Sequence, residues 1–202
     1  MSNQVGRGAG AVAAGMTLAL AAGGVAAAAP GRANPPHVAL VTESITGDCD
    51  PRDTTVTTTP EGLTATFTGL DTGSSTADTE SYCHLTVRVQ RPPGWTFTLS
   101  GARYTGQAAV GVGQRAYLDS TYHQLLAQPS PTPRRRAVFQ QNDSGAWGLW
   151  QGLPAQESSC DGDTLLGFTA AMYVDRPQQG AASKLRLDRL QLRSRDFAWR
   201  RC

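Results

Sequence analysis

The sequence is short of the residues that carry chemistry. Its 202 residues include three histidines, His37, His84 and His123, a single lysine, Lys184, and four cysteines. No Cys-x-x-Cys occurs, and the histidines do not fall at zinc-ligand spacing with the cysteines, which argues against a redox dithiol or a zinc site. Gly-x-Ser-x-Gly, His-Glu-x-x-His, P-loop and dinucleotide-binding patterns are absent. No motif asks for a cofactor or a metal. The formal net charge is +2, too small for an electrostatic grip on nucleic acid or on anionic lipid.

What is present begins with an apolar leader. Met1 to Gly10 carries one cation, Arg7, and Ala11 to Ala29 is small and apolar, with no acidic residue before Glu43. The run is too rich in Ala and Gly for a membrane span, and Ala26-Ala27-Ala28 supplies the small residues a signal peptidase accepts. The expectation is a signal peptide over residues 1–28, a short flexible mature N-terminus over 29–37, and a secreted, extracellular protein with no membrane contact after cleavage. About 174 residues then remain, enough for one domain with a real core, placed at 38–202. Arginine for nearly every cation, with abundant Ala and Gly, suggests a GC-rich bacterial genome.

Cys49, Cys83, Cys160 and Cys202 all lie beyond the leader. Four cysteines in an exported chain permit three pairings. Order along the chain suggests Cys49 with Cys83 and Cys160 with Cys202, as structural bridges.

Periodicity points to an all-β fold. Cys83, Leu85, Val87 and Val89 alternate with His84, Thr86 and Arg88; Trp95, Phe97 and Leu99 alternate with Thr96, Thr98 and Ser100; Leu63, Ala65 and Phe67 alternate with Thr64, Thr66 and Thr68. A period of two with one apolar face is the pattern of a half-buried strand. Val38–Ile45 and Thr54–Thr58 are further candidates, with Ala108–Val112 and Leu165–Val174 beside them. Near the C-terminus Leu185 and Leu187 alternate with polar neighbours, and Leu190 and Leu192 continue one register out of step. A bulge or tight turn near Asp188-Arg189 explains the slip, although a short helix also holds these leucines. Phe197-Ala198-Trp199 restores alternation, so a last strand pinned by Cys202 is expected. Many short strands without a long helical pattern indicate a β-sandwich or jelly-roll-like domain. Asp71–Glu80 and Gln128–Arg136, the second ending in Arg134-Arg135-Arg136, read as exposed, mobile loops, the tribasic run being solvated or docking an anionic envelope polymer.

The residues also carry a resemblance. Gly47-Asp48-Cys49, then Tyr82-Cys83-His84-Leu85-Thr86-Val87 running into Pro92-Pro93-Gly94-Trp95-Thr96-Phe97, then Ala102-Arg103-Tyr104-Thr105-Gly106 and finally Trp199-Arg200-Arg201-Cys202 resemble the domain of unknown function 4360 family of small secreted proteins. The resemblance runs from Val38 to Cys202 and is most specific between Cys83 and Gly106. Ser159-Cys160-Asp161-Gly162 departs from the family's usual surroundings. The resemblance implies a secreted β-rich domain with paired cysteines and no established activity.

Candidate sites are few. Asp143-Ser144-Gly145 echoes the nucleophile turn of trypsin-like proteases, but Asn142 stands where that pattern has Gly and no histidine lies in a partner motif, so a Gly-containing turn is expected. Asp48, Asp50 and Asp53, with Asp161 and Asp163, offer oxygen ligands for calcium, yet Asp and Gly are also the ordinary residues of tight turns. Trp147 and Trp150 lie in the Gly-rich segment Gly145–Gly152, and two indoles on a sheet face or loop would stack on sugar rings; the competing reading buries both. Trp95 and Trp199 alternate in phase with core residues and are expected to be buried. The function these observations favour is a non-enzymatic binding or structural module outside the cell or at its envelope, with a polysaccharide or cell-wall component as the partner class. The alternative is a secreted hydrolase whose site is assembled from distant residues, such as His84 or His123 meeting a carboxylate in a pocket.

Overall fold

The computed structural model describes residues 37–73, 80–125, 134–175 and 182–202. The expected signal peptide, and most of the N-terminal segment expected to be flexible, lie outside these residues. Thirteen strands follow in order: β1 (Ala39–Gly47), β2 (Thr54–Thr59), β3 (Gly62–Phe67), β4 (Asp71–Gly73), β5 (Glu80–Gln90), β6 (Trp95–Leu99), β7 (Gly101–Ala109), β8 (Ala116–Gln124), β9 (Arg135–Phe139), β10 (Gly145–Gly152), β11 (Thr164–Val174), β12 (Lys184–Arg193) and β13 (Phe197–Arg201). Two short 3-10 turns, Gln141–Asp143 and Ser194–Asp196, are the only helical segments among the described residues.

The strands form two principal antiparallel sheets. One has the order β1-β5-β11-β8-β9; the other runs β10-β7-β12-β3-β2, with β4 also paired to β12; β13 and β6 make a separate two-stranded ribbon. The alternating residues do what their period requires. Leu85, Val87, Phe168, Leu118 and Met172 from the first sheet and Leu63, Ala65, Tyr104, Leu187 and Leu190 from the second are all buried in one core, the arrangement of a β-sandwich. The slip in β12 is a bulge: its register with β7 shifts between Leu187 and Arg189, so Leu185 and Leu187 before it and Leu190 and Leu192 after it all reach the core. The helical alternative for these leucines is thereby set aside.

Both disulfides follow chain order. Cys49 bonds Cys83, with Cα atoms 5.3 Å apart, and Cys160 bonds Cys202, at 6.0 Å. The first ties the end of β1 to β5, and the second anchors the chain just beyond β13.

Several local expectations are corrected. Ala108–Val112 is not a strand of its own: β7 spans Gly101–Ala109, and the chain then turns, leaving Val112 exposed. Asp71–Gly73 is no loop but pairs with Lys184–Arg186. Arg135 and Arg136 are the first residues of β9, paired with β8. Residues 74–79 and 128–133 of those two expected loops lie outside the described residues. Trp95 and Trp199 are half-buried, not buried: the Arg201 guanidinium lies 4.9 Å over the Trp95 ring, and Trp199 packs beside Phe97 with ring centroids 5.4 Å apart.

Candidate functional site

Strand geometry separates the two indoles. Side chains alternate between the faces of a strand, so Trp147 and Trp150, three positions apart on β10, point to opposite sides. Trp147 turns inward, packs against the core and meets Phe139 of the opposite sheet with centroids 5.1 Å apart. Its Nε1 is buried with no hydrogen-bond partner. Trp150 turns outward and is 45% exposed. The two rings therefore form neither the shared platform nor the buried pair that the sequence allowed, and the outer face keeps one of them.

That outer face is built from five strands in register. Trp150 pairs with Arg103, Arg103 with Gln191, Gln191 with Thr64 and Thr64 with Thr57, giving one row across β10, β7, β12, β3 and β2. Strands about 4.8 Å apart make such a row about 19 Å long. The neighbouring row carries Gly148, Thr105, Arg189, Thr66 and Thr55 by the same pairings. Within the first row the Gln191 amide donates to Thr64 Oγ1 at 3.4 Å. The Trp150 ring lies across β7 where Gly101 has no side chain; a Cβ there would fall 2.3 Å from the indole Cζ2. Glycine inside a strand is a weakness unless something packs into the space it leaves, and here an aromatic ring does. Beside the row, an open trough of about 610 Å³ is lined by Thr57, Thr59, Thr64, Arg189, Gln191 and Arg193, among others.

The tribasic run is exposed, as expected, but two of its arginines are committed to one acid. On the outer face of the other sheet, Arg136 donates from Nε and Nη2 to Asp119 of β8 at 2.8 and 2.7 Å, and Arg134 donates to the same carboxylate. The two guanidiniums also lie over Tyr117 and Tyr173, at 5.1 and 5.9 Å. Asp119 is only 3% exposed. Burial pushes its carboxyl up, but the hydrogen bonds from Arg136 and Arg134 outweigh that and hold it below the usual carboxylate range. An anion there has to compete with Asp119.

Two of the three histidines face the same side. His84 and His123 stack with centroids 5.6 Å apart, and His123 crosses β11 over Gly167, where a Cβ would meet its ring at 2.5 Å. His84 bonds to Thr169 through Nδ1 at 2.8 Å and to Thr86 through Nε2 at 3.3 Å. Burial lowers both imidazoles from their ordinary pKa, and the proximity of His123 lowers His84 further. Neither bonds to a carboxylate among the described residues.

Most of the remaining candidates have structural partners. Asp48 accepts the Tyr82 backbone N–H at 2.8 Å, Asp50 pairs with Arg52 at 2.9 Å, and Asp163 lies 3.7 Å from Arg88. No three of His, Cys, Asp and Glu converge among the described residues. Ser144 Oγ accepts the Val110 N–H at 3.1 Å, and Asp143 caps its own turn through the Gln140 N–H at 2.7 Å, the Gly-containing turn expected there. Arg103, Gln191, Thr64 and Thr57 went unnoticed in the sequence, since no local pattern reports which strands are neighbours.

No curated protein matches the chain. Among solved structures, TmCBM61 in complex with β-1,4-galactotriose is similar at 12% identity, covering 79% of this chain and 88% of that one, with a TM-score of 0.30; so low a score carries no argument. The family model is decisive, for residues 42–202 match that of the domain of unknown function DUF4360, and the chain belongs to that family.

Proposed function

We propose that this chain is an exported, non-enzymatic module that binds polysaccharide through the outer face of its six-stranded sheet. The observation that carries the reading is the row Trp150, Arg103, Gln191, Thr64 and Thr57. A sugar ring offers an apolar C–H face and a rim of hydroxyls. An exposed indole suits the first; a guanidinium, an amide and two threonine hydroxyls supply donors and acceptors for the second. All five side chains stand on paired strands, which hold a binding surface more rigidly than loops do. Export agrees with two disulfides closing the fold; no helix among the described residues is long and apolar enough to cross a membrane. A hydrolase would place a carboxylate or imidazole of shifted pKa in a cleft open to substrate, whereas Asp119 is occupied by two arginines, and His84 by two threonines.

The test is retention of the purified, oxidised domain on immobilised polysaccharides and cell-wall fractions, with Trp150→Ala alongside. Binding that falls about tenfold or more in the folded variant, as expected for an aromatic at the centre of a contact, supports the reading. Equal retention of both proteins on every fraction sinks it.

A further inference from the structure

We infer that the glycan this face takes is anionic, its acidic groups held by Arg189 and Arg193; this rests on the polysaccharide reading above. The arginines on the outer faces of the two sheets differ in their partners. Those on the opposite sheet's outer face are matched by acids: Arg88 by Glu43 and Asp163, Arg134 and Arg136 by Asp119. On the proposed face Lys184 meets Asp71 at 2.8 Å and Arg186 meets Asp188 at 2.5 Å. Arg103, Arg189, Arg193 and Arg195 form no ion pair with a carboxylate among the described residues. Arg91, Arg115, Arg135 and Arg201 also lack a carboxylate partner among the described residues, but none of them lines the trough, which Arg189, Arg193 and Arg195 do.

The strand places them. Arg189, Gln191 and Arg193 stand at alternate positions of β12 beyond the bulge, so all three share the outer face. Arg189 and Arg193 are four residues apart, about 13 Å along the strand. Arg103 stands beside Gln191 on the neighbouring strand, half-buried, with its Nε shielded from solvent and unbonded. Glu61 is the one carboxylate lining the trough, and it pairs with none of these arginines. The result is a locally positive trough on a protein of almost no net charge. Guanidinium forks match carboxylate and phosphate oxygens in bidentate geometry, and the threonine hydroxyls of β2 and β3 flank them for the polyol part of the chain. A polymer with acidic groups repeating along its length fits this pattern; a neutral one leaves the arginines unmatched.

The experiment compares binding of the mature, disulfide-bonded protein to polygalacturonate, to wall teichoic acid and to a neutral galactan, across sodium chloride from low to high concentration. Variants are Arg189→Gln with Arg193→Gln, the matching double Lys variant, and Trp150→Ala, each first shown to keep the wild-type unfolding midpoint within a few degrees. The expected result is binding to at least one acidic polymer about tenfold tighter than to galactan, weakening with salt as screening shortens the range of the charges. The double Gln variant loses about tenfold on that polymer and little on galactan, and the double Lys variant recovers part of the loss. Carboxylate and phosphodiester sources are told apart by which acidic polymer binds. Equal, salt-independent binding of galactan and acidic polymers, unchanged in the double Gln variant but lost in Trp150→Ala, overturns the anionic inference and leaves the polysaccharide reading standing. Failure of both acidic polymers to bind, while galactan or another fraction is retained, also overturns the anionic inference alone, and failure of every polysaccharide and cell-wall fraction to bind overturns both.

Discussion

Trp147→Ala and Trp150→Ala separate folding from binding. The two residues are nearly indistinguishable in sequence, in one Gly-rich segment, yet one faces the core and the other faces solvent. Complete truncation of a buried Trp costs roughly 3–5 kcal/mol. Trp147 is half-buried, which reduces that to roughly 2–3 kcal/mol; loss of its contact with Phe139 adds about 1 kcal/mol, and removal of its unpartnered Nε1 from the interior returns about as much. The net is about 2–3 kcal/mol, or a fall of roughly 6–9 °C in Tm for a domain of this size. Trp150 shields one side of its ring against β7 around Gly101 and exposes the other, so its truncation costs about 1 kcal/mol and roughly 3 °C. Differential scanning fluorimetry and urea titration of the oxidised domain measure both. Glycan binding follows the opposite order, lost in Trp150→Ala and kept in Trp147→Ala below its lowered midpoint. Equal midpoints, or a Trp150→Ala variant as unstable as Trp147→Ala, would refute the assignment of faces on which the site depends.

Reducing either disulfide removes a closed loop of 34 or 42 residues, and the chain-entropy model puts the loss at about 4 kcal/mol each; Cys49→Ser with Cys83→Ser, and the matching pair at Cys160 and Cys202, should each lower the urea midpoint in proportion. Asp119 titrates below its ordinary value, so the stability it contributes is complete above the unfolded carboxylate range and is lost as pH falls through its lowered folded value; Asp119→Asn lowers the midpoint at pH 7 and flattens that acid limb, and an unchanged limb contradicts the two-arginine clamp. His84 and His123 also titrate low, so the unfolded chain takes up their protons first: stability is full above about pH 6.5 and declines as pH drops below it. Gly167→Val displaces His123 from its seat over β11; in NMR titrations the His123 pKa then rises toward its ordinary value, and a value equal to wild type counts against the stack.

How much was legible in the sequence depends on whether a strand has one polar face. β3, β5 and β6 alternate cleanly and were readable, and the slipped leucines of β12 reported their bulge because each one that fails to alternate would otherwise face water. β8 was not readable: Asp119 and Ser120 are adjacent and both buried, one beneath arginines and the other against Gln151 of β10, so no period of two survives. β9 looked like a basic loop because the acid that neutralises Arg134 and Arg136 lies fifteen or more residues away on another strand. The site was half-legible for a related reason. Trp150 stood out as an aromatic, but its phase relative to Trp147 is fixed only once Gly145–Gly152 is known to be a strand. Its partners Arg103, Gln191, Thr64 and Thr57 come together through register, which no stretch of sequence contains.

Chemical-shift mapping on the isotope-labelled domain, titrated with short fragments of whichever polysaccharide it retains, tests the central claim most directly. The account predicts perturbations centred on the Trp150 indole N–H and the amides of Arg103, Gln191, Thr64 and Thr57, with Tyr82, His84 and His123 on the opposite face unmoved. Shifts centred on that opposite face, or none on the Trp150 row at saturating fragment, would contradict it.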